Sequence, residues 1–169
     1  NKISTFLVMS EGQVHIITGP MFSGKSSELL KIIGRYMLLK KNILAINHVY
    51  DKRYGNNKII SHDKKEYDCL QIEKLMSLVE TKMYKESEVI VIEEAHFFED
   101  LYRFVDYACS LSNKIIYVAG LNGDSNMKPI GQINDLIPMC DTIKKLSALC
   151  LQCNDGTAAH FSRRLVKNE

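Results

Sequence analysis

The chain has 169 residues, 46% hydrophobic and 25% charged, with a net charge of +2, which suits one globular α/β-sized domain with a proper core. No apolar run approaches the length of a membrane span, and residues 1–10 lack the basic start and long apolar core of a signal peptide. The charge is too small for the basic face of a nucleic-acid binder, so the expectation is a cytoplasmic protein with neither membrane nor nucleic acid as a partner.

Residues 1–11 form a lead-in of no clear type. Val14-His15-Ile16-Ile17-Thr18 is a β-branched run that reads as a buried strand, and residues 28–39 carry apolar side chains at helical spacing. Between them lies Gly19-Pro20-Met21-Phe22-Ser23-Gly24-Lys25-Ser26, a glycine, four residues, then Gly-Lys-Ser. Strand, glycine-rich loop and helix in that order are the context in which this motif cradles phosphates. The loop's backbone N–H groups point inward and the helix N-terminus adds partial positive charge. Lys25 is expected to reach the β- and γ-phosphates of a nucleotide, and the Ser26 hydroxyl to sit on Mg²⁺. At both glycines a Cβ is expected to obstruct the backbone's approach.

The helix is expected to end near Lys40-Lys41-Asn42, where basic residues suit its dipole, and Ile43-Leu44-Ala45-Ile46 reads as a second buried strand. The turn-rich residues 51–57 follow as an exposed loop. Lys58-Ile59-Ile60-Ser61-His62 suits a short strand, and residues 71–80 have helical periodicity with weak caps. Val89-Ile90-Val91-Ile92 is a continuous apolar run, as in a central parallel strand covered on both faces, and it ends in Glu93-Glu94. Residues 100–111 predict a helix, and Lys114-Ile115-Ile116-Tyr117-Val118-Ala119 a buried strand ending at Gly120. This alternation predicts an α/β fold with a mostly parallel sheet flanked by helices, of the phosphate-loop (RecA-like) kind, over residues 12–146. Ligands are expected beyond the carboxyl ends of the strands, at Thr18, Asn47, Ile92 and Ala119.

Five cysteines without a secretory signal argue against a disulfide framework. Cys69, Cys109 and Cys140 stand alone among apolar neighbours and read as small buried hydrophobes. Cys150-Leu151-Gln152-Cys153 has the spacing in which one turn presents two thiolates to a zinc ion. Residues 147–169 are therefore expected to begin a small C-terminal zinc-binding subdomain. Two sulfurs are half of a structural zinc set, and His160 reads more simply as a surface histidine than as a ligand.

Glu93-Glu94, at the end of an apolar strand downstream of the loop, lies where phosphoryl-transferring proteins hold magnesium. One carboxylate can steady the hydrated ion while the other accepts a proton from an attacking hydroxyl. Two classes fit these residues. Glu93-Glu94-Ala95-His96 resembles the acidic box of helicases, but a single small domain with almost no net charge lacks the basic groove of a nucleic-acid motor. The alternative is a kinase acting on a small hydroxyl-bearing substrate.

The extended motifs decide between them. Residues 19–29, together with Asp51-Lys52-Arg53-Tyr54, Ser61-His62-Asp63, Glu93-Glu94-Ala95-His96-Phe97-Phe98 and Cys150-Leu151-Gln152-Cys153, resemble the type II thymidine kinases, a family of human cytosolic, bacterial and poxviral enzymes. The similarity runs in unbroken order from about Gly12 to Leu165, and Pro-Met-Phe inside the loop is its most specific part. The resemblance implies transfer of the γ-phosphoryl of ATP to the 5′-hydroxyl of thymidine, with Mg²⁺, a structural Zn²⁺ and a homotetramer. By position, Glu94 matches the general base, Glu93 the carboxylate acting on Mg²⁺, and Asp51 and Arg53 loop residues near the metal and phosphates. Met21, Phe97 and Leu121 match the apolar thymine pocket, Phe97 having an equally good reading as core, while Ser125 and Ser162 fall among substrate contacts. Glu93 stands where the family usually has aspartate, Ala95-His96 where Gly-Gln is frequent, and Asn122 where aspartate is frequent. His96 reads either as a neutral hydrogen-bonding substitute for glutamine or as a surface histidine. The family also closes thymidine under a lasso-like loop, with a second pair of zinc ligands, after the residues matching Arg164-Leu165; that segment is expected to lie beyond the sequence given.

Overall fold

The computed structural model describes residues 12–51, 57–61 and 63–164. Its centre is a six-stranded sheet in the order β5-β2-β6-β7-β1-β8, built from β1 (Gln13–Thr18), β2 (Ile43–His48), β5 (Leu70–Ile72), β6 (Val89–Ile92), β7 (Ile115–Gly120) and β8 (Thr142–Lys145). Every pairing within it is parallel. β3 (Lys58–Ile60) and β4 (Glu66–Asp68) form a separate antiparallel hairpin, and β9 (Ala148–Leu149) and β10 (Ala158–Ala159) a short antiparallel ribbon.

Successive strand side chains point to opposite faces, and the core divides accordingly. Ile90 and Ile92 of β6, with Val14, Ile16, Leu44, Ile46, Ile116 and Val118, pack on one face against α3 (Leu101–Ser110) through Leu101, Phe104, Val105 and Ala108. Val89 and Val91, with Ile17, Ala45 and Ala119, pack on the other face against α1 (Lys25–Leu38) through Leu29, Ile32 and Ile33. That is why β6 is apolar throughout: neither face meets water. Each such side chain contributes roughly 1.5–3 kcal/mol by leaving water.

Helix α1 begins three residues before the periodic apolar pattern, directly at Lys25 behind Gly24, and stops just before the lysine pair. Lys40 turns into the left-handed region at φ +54° while the Lys41 N–H donates to Tyr36 O. Lys40-Lys41 and Lys64-Lys65 are both exposed, as solvated faces.

Two expectations need correction. Residues 71–80 are not a helix: Leu70–Ile72 is strand β5, paired in parallel with β2, and only Leu75–Leu78 coils, as a 3₁₀ turn. The Asp100 carboxylate accepts from the Leu75 and Met76 N–H groups at 3.2 and 2.8 Å, tying that turn to the start of α3. A short helix, α2 (Lys82–Glu86), capped by Thr81, follows where none is apparent from periodicity. The other correction is at Cys140, which is only half-buried and donates its thiol to Ile137 O, whereas Cys69 and Cys109 are buried as expected. Among the described residues no helix is long and apolar enough to cross a membrane.

Candidate functional site

The loop between β1 and α1 sits at the carboxyl edge of the parallel sheet, where the strand order places β1 between β7 and β8. Gly19 has φ +150°, and a Cβ there would lie 2.6 Å from Leu146 O and 2.8 Å from Ser23 Oγ. Gly24, the residue before α1, has φ +84° with open space where its Cβ would be. Sterics therefore demand glycine at the first position, while backbone handedness alone favours it at the second.

Lys25 folds its ammonium back on the loop, donating to Gly19 O at 3.1 Å and Pro20 O at 2.8 Å. The next hydroxyl, Ser26 Oγ, donates to Glu93 Oε1, which joins the loop to the end of β6. Ser23 Oγ is buried without a hydrogen-bond partner. An unsatisfied buried hydroxyl costs about 1–3 kcal/mol, so this loop carries polar capacity that the protein itself does not use.

Glu93 and Glu94 are both buried at the tip of β6. Glu94 is held in the left-handed region, φ +49° and ψ +37°, at the start of a 3₁₀ turn, Ala95–Phe97. For a residue other than glycine this costs about 1–3 kcal/mol, and such strain concentrates where a side chain must be aimed. The Phe97 N–H donates to Glu94 O at 3.1 Å and closes the turn.

A cavity of about 360 Å³ collects these groups: Lys25 and Ser26 from the loop and α1, Glu94 and Phe97 from the β6 end, Asp51 from beyond β2, and Leu121 from beyond β7. Met21, Phe22, Ser23 and Gly24 complete its loop wall. Asp51 is placed by Asn47, whose amide donates to Asp51 Oδ2 at 2.9 Å. Phe97 and Phe98 divide their work: Phe97 is 39% exposed on the cavity and Phe98 is buried in the core. His96 is buried, not on the surface, with Nδ1 accepting from the Leu121 N–H at 3.2 Å.

A second cavity of about 210 Å³ is bordered by Gly19, Pro20, Asn122 and Ser162. Ser162 Oγ accepts from the Met21 N–H at 2.9 Å, and Thr18 Oγ1 donates to Asn122 Oδ1 at 2.9 Å. Ser125 stands apart, exposed on a loop whose turn is fixed by Asp124 Oδ1 accepting from the Asn126 and Lys128 N–H groups. It lines neither cavity. Arg53 lies outside the described residues.

The buried Cys69 thiol feels the acidic groups Glu93 and Asp51. Burial first, then the negative fields of Glu93 and Asp51, push it up to about 12, so it is an inert thiol and not a nucleophile. Cys150 and Cys153 lie together in the turn after β9, with the Cys153 N–H donating to Cys150 Sγ at 3.4 Å. Hydrogen bonds from the Cys153 and Gln152 segment hold the Cys150 thiol below its ordinary range. Among the described residues no group of three or more His, Cys, Asp and Glu side chains is arranged around a common point.

Sequence reasoning missed Tyr50 and Ile60 as cavity walls, and Gly131, which packs on His96. Tyr50 had a signal in its neighbour Asp51; the other two had none, because their partners are remote in the chain.

By fold and site this is an α/β protein with its candidate site at the carboxyl edge of a parallel sheet. A family model described as thymidine kinase matches residues 12–169. The thymidine kinase of fowlpox virus (strain NVSL) is 38% identical over 164 residues, covering 95% of this chain and 88% of that protein. Those of raccoon poxvirus and variola virus (isolate Human/India/Ind3/1967) are 36% and 37% identical over 157 residues, each covering 93% of this chain and 85% of the relative. The chain belongs to the thymidine kinase family.

Proposed function

We propose that the chain transfers the γ-phosphoryl of ATP to the 5′-hydroxyl of thymidine, giving thymidine monophosphate and ADP, with residues 19–26 as the phosphate cradle. The observation that carries the reading is that Lys25 and Glu94, far apart in sequence, line one cavity. The partnerless Ser23 hydroxyl inside the loop supports a polar ligand there. The Lys25 ammonium already lies on the loop, donating to Gly19 O and Pro20 O, within the wall of the cavity that would take the phosphates.

In this reading the loop and the N-terminus of α1 orient the triphosphate, and Phe97, Leu121 and Met21 hold the thymine by apolar contact. Ser162, through Met21, begins the second wall of the substrate site. Glu94 takes the 5′-hydroxyl proton as the oxygen attacks in line, and Lys25 stabilises charge on the transferring group. Ser26 and Glu93 are hard oxygen donors already in contact, a set that fits magnesium and would hold it. A magnesium ion held there would supply neutralisation of phosphate charge. Asp51, which lines the cavity, would act beside the metal, and Arg53 carries the role that its place in the family motif implies, on the charge of the transferring group.

The paired thiols of Cys150 and Cys153 supply half of a tetrahedral zinc set, so zinc on this turn needs two further ligands from outside the described residues. Replacing both cysteines by serine should abolish zinc measured in natively purified protein; zinc retained at the wild-type level would remove them from the metal. The homotetramer implied by the family belongs to the same proposal and is read by light scattering.

The central test is a panel of nucleosides with ATP. Thymidine should be phosphorylated in preference, and Glu94→Gln should cost about 10²–10⁴-fold in turnover. Activity within a few-fold of wild type would show that Glu94 is not the base.

A further inference from the structure

His96 occupies a place that the reaction as described leaves unused, and three observations bear on it. Its Nδ1 accepts the Leu121 N–H at 3.2 Å, so the neutral ring carries its proton on Nε2. That Nε2 lies 3.5 Å from Glu94 Oε2, long for a hydrogen bond but close enough, in a buried setting, for the N–H dipole to orient a carboxylate. The chain is also cut back to glycine on two sides of this residue. A Cβ on Gly120 would come within 2.9 Å of His96 Nδ1, and one on Gly131 within 2.3 Å of His96 O.

We propose that His96 is a positioning residue for Glu94: it passes the location of the β7 end, through the Leu121 N–H, to the carboxylate that accepts the substrate proton. The inference rests on Glu94 acting as the base. The ring also packs against Phe97, tilted by 38° with centroids 4.2 Å apart, so one side chain touches both the carboxylate and the aromatic wall of the cavity. Glutamine offers an amide oxygen and an amide N–H at a spacing close to that of the two ring nitrogens, and so can accept from Leu121 and donate to Glu94 together. Phenylalanine fills the space but does neither.

The experiment is a double-mutant cycle on thymidine phosphorylation with His96→Phe, His96→Gln, Glu94→Gln and the His96→Phe/Glu94→Gln pair. His96→Phe should lower kcat about 10- to 100-fold, the scale of a misplaced catalytic group, with the KM for ATP changed less than about 2-fold. His96→Gln should return kcat to within about 3-fold of wild type, and in the Glu94→Gln background the Phe change should cost less than about 2-fold, because the group it positions is gone. Full activity in Glu94→Gln alone would overturn the base reading. A Glu94→Gln slowed as expected, with His96→Phe either fully active or costing equally in both backgrounds, would overturn the positioning role alone. Should the Phe variant not fold, ¹⁵N NMR of the wild-type protein decides: His96 must show the Nε2–H tautomer and its Nε2 resonance must move in Glu94→Gln. An Nδ1–H tautomer, or an unmoved resonance, overturns the proposal.

Discussion

At Gly24 and Gly131 the same substitution should have unequal consequences. Both residues have positive φ, +84° and +58°, but an added methyl meets nothing at Gly24 and would overlap His96 O at Gly131. Gly24→Ala should therefore cost about 1–2 kcal/mol of stability, the backbone penalty alone. Gly131→Ala must add displacement of the 95–97 turn, so its melting temperature should fall further and its kcat with it, read by thermal melts and the thymidine assay. A smaller effect at Gly131 than at Gly24 would contradict the packing described. Gly24 was legible in the sequence because its motif is contiguous. Gly131 was not, since the reason for it is a histidine that only the fold brings near. The motif predicts a steric need at both glycines of the first loop, whereas the structure assigns Gly19 to sterics and Gly24 to handedness. Phe97-Phe98 is a similar case, since composition gave two aromatics and the turn after Glu94 decided which one faced the cavity.

Elements were legible in proportion to how much of their pattern is local. β6 and β7 are continuous apolar runs, and both appear where expected. β8 shows no pattern at all, because Thr142, Ile143, Lys144 and Lys145 are all exposed, and only its pairing with β1 makes it a strand. β5 was misread because three residues are too few to show alternation, while Leu75 and Leu78 behind it mimic helical spacing. α2 is likewise short, and its C-terminal end is secured from elsewhere. The buried Lys114 ammonium, just before β7, donates to Tyr84 O at 3.0 Å, Lys85 O at 3.3 Å and Ser87 O at 2.5 Å, and lies 5.1 Å from the centre of the Tyr84 ring. Lys114→Met should strip those carbonyls of their donor and cost about 1.5–3 kcal/mol, the range for hydrogen bonds to a charged group. Chemical denaturation checks it, and a change below about 0.5 kcal/mol would mean that the carbonyls find other donors.

For the molecule as a whole, acid sensitivity follows from histidines held neutral. Burial, outweighing the fields of Glu73 and Asp100, keeps His48 below its ordinary value of 6.5, and burial likewise lowers His15 against the pull of Asp141. The unfolded chain then binds protons that the folded one refuses, so stability is complete above about pH 6.5 and declines as pH falls through the lowered values. Replacing His48 with asparagine should flatten the decline in melting temperature between about pH 7 and 5, even if the variant starts lower; an unchanged slope would assign the acid sensitivity to other groups. The parallel order of the sheet was legible from strand–helix alternation, whereas the walls of the cavity were not, since they are supplied by segments separated by most of the chain. That arrangement has a kinetic side. Lys25 follows β1 and Leu121 follows β7, and these two strands join over their whole length, Gln13 beside Ile115 through to Thr18 beside Gly120. Contacts of such sequence separation are slow to form. On dilution from denaturant, helical signal from α1 should return first, and phosphorylation of thymidine only when this late zipper closes.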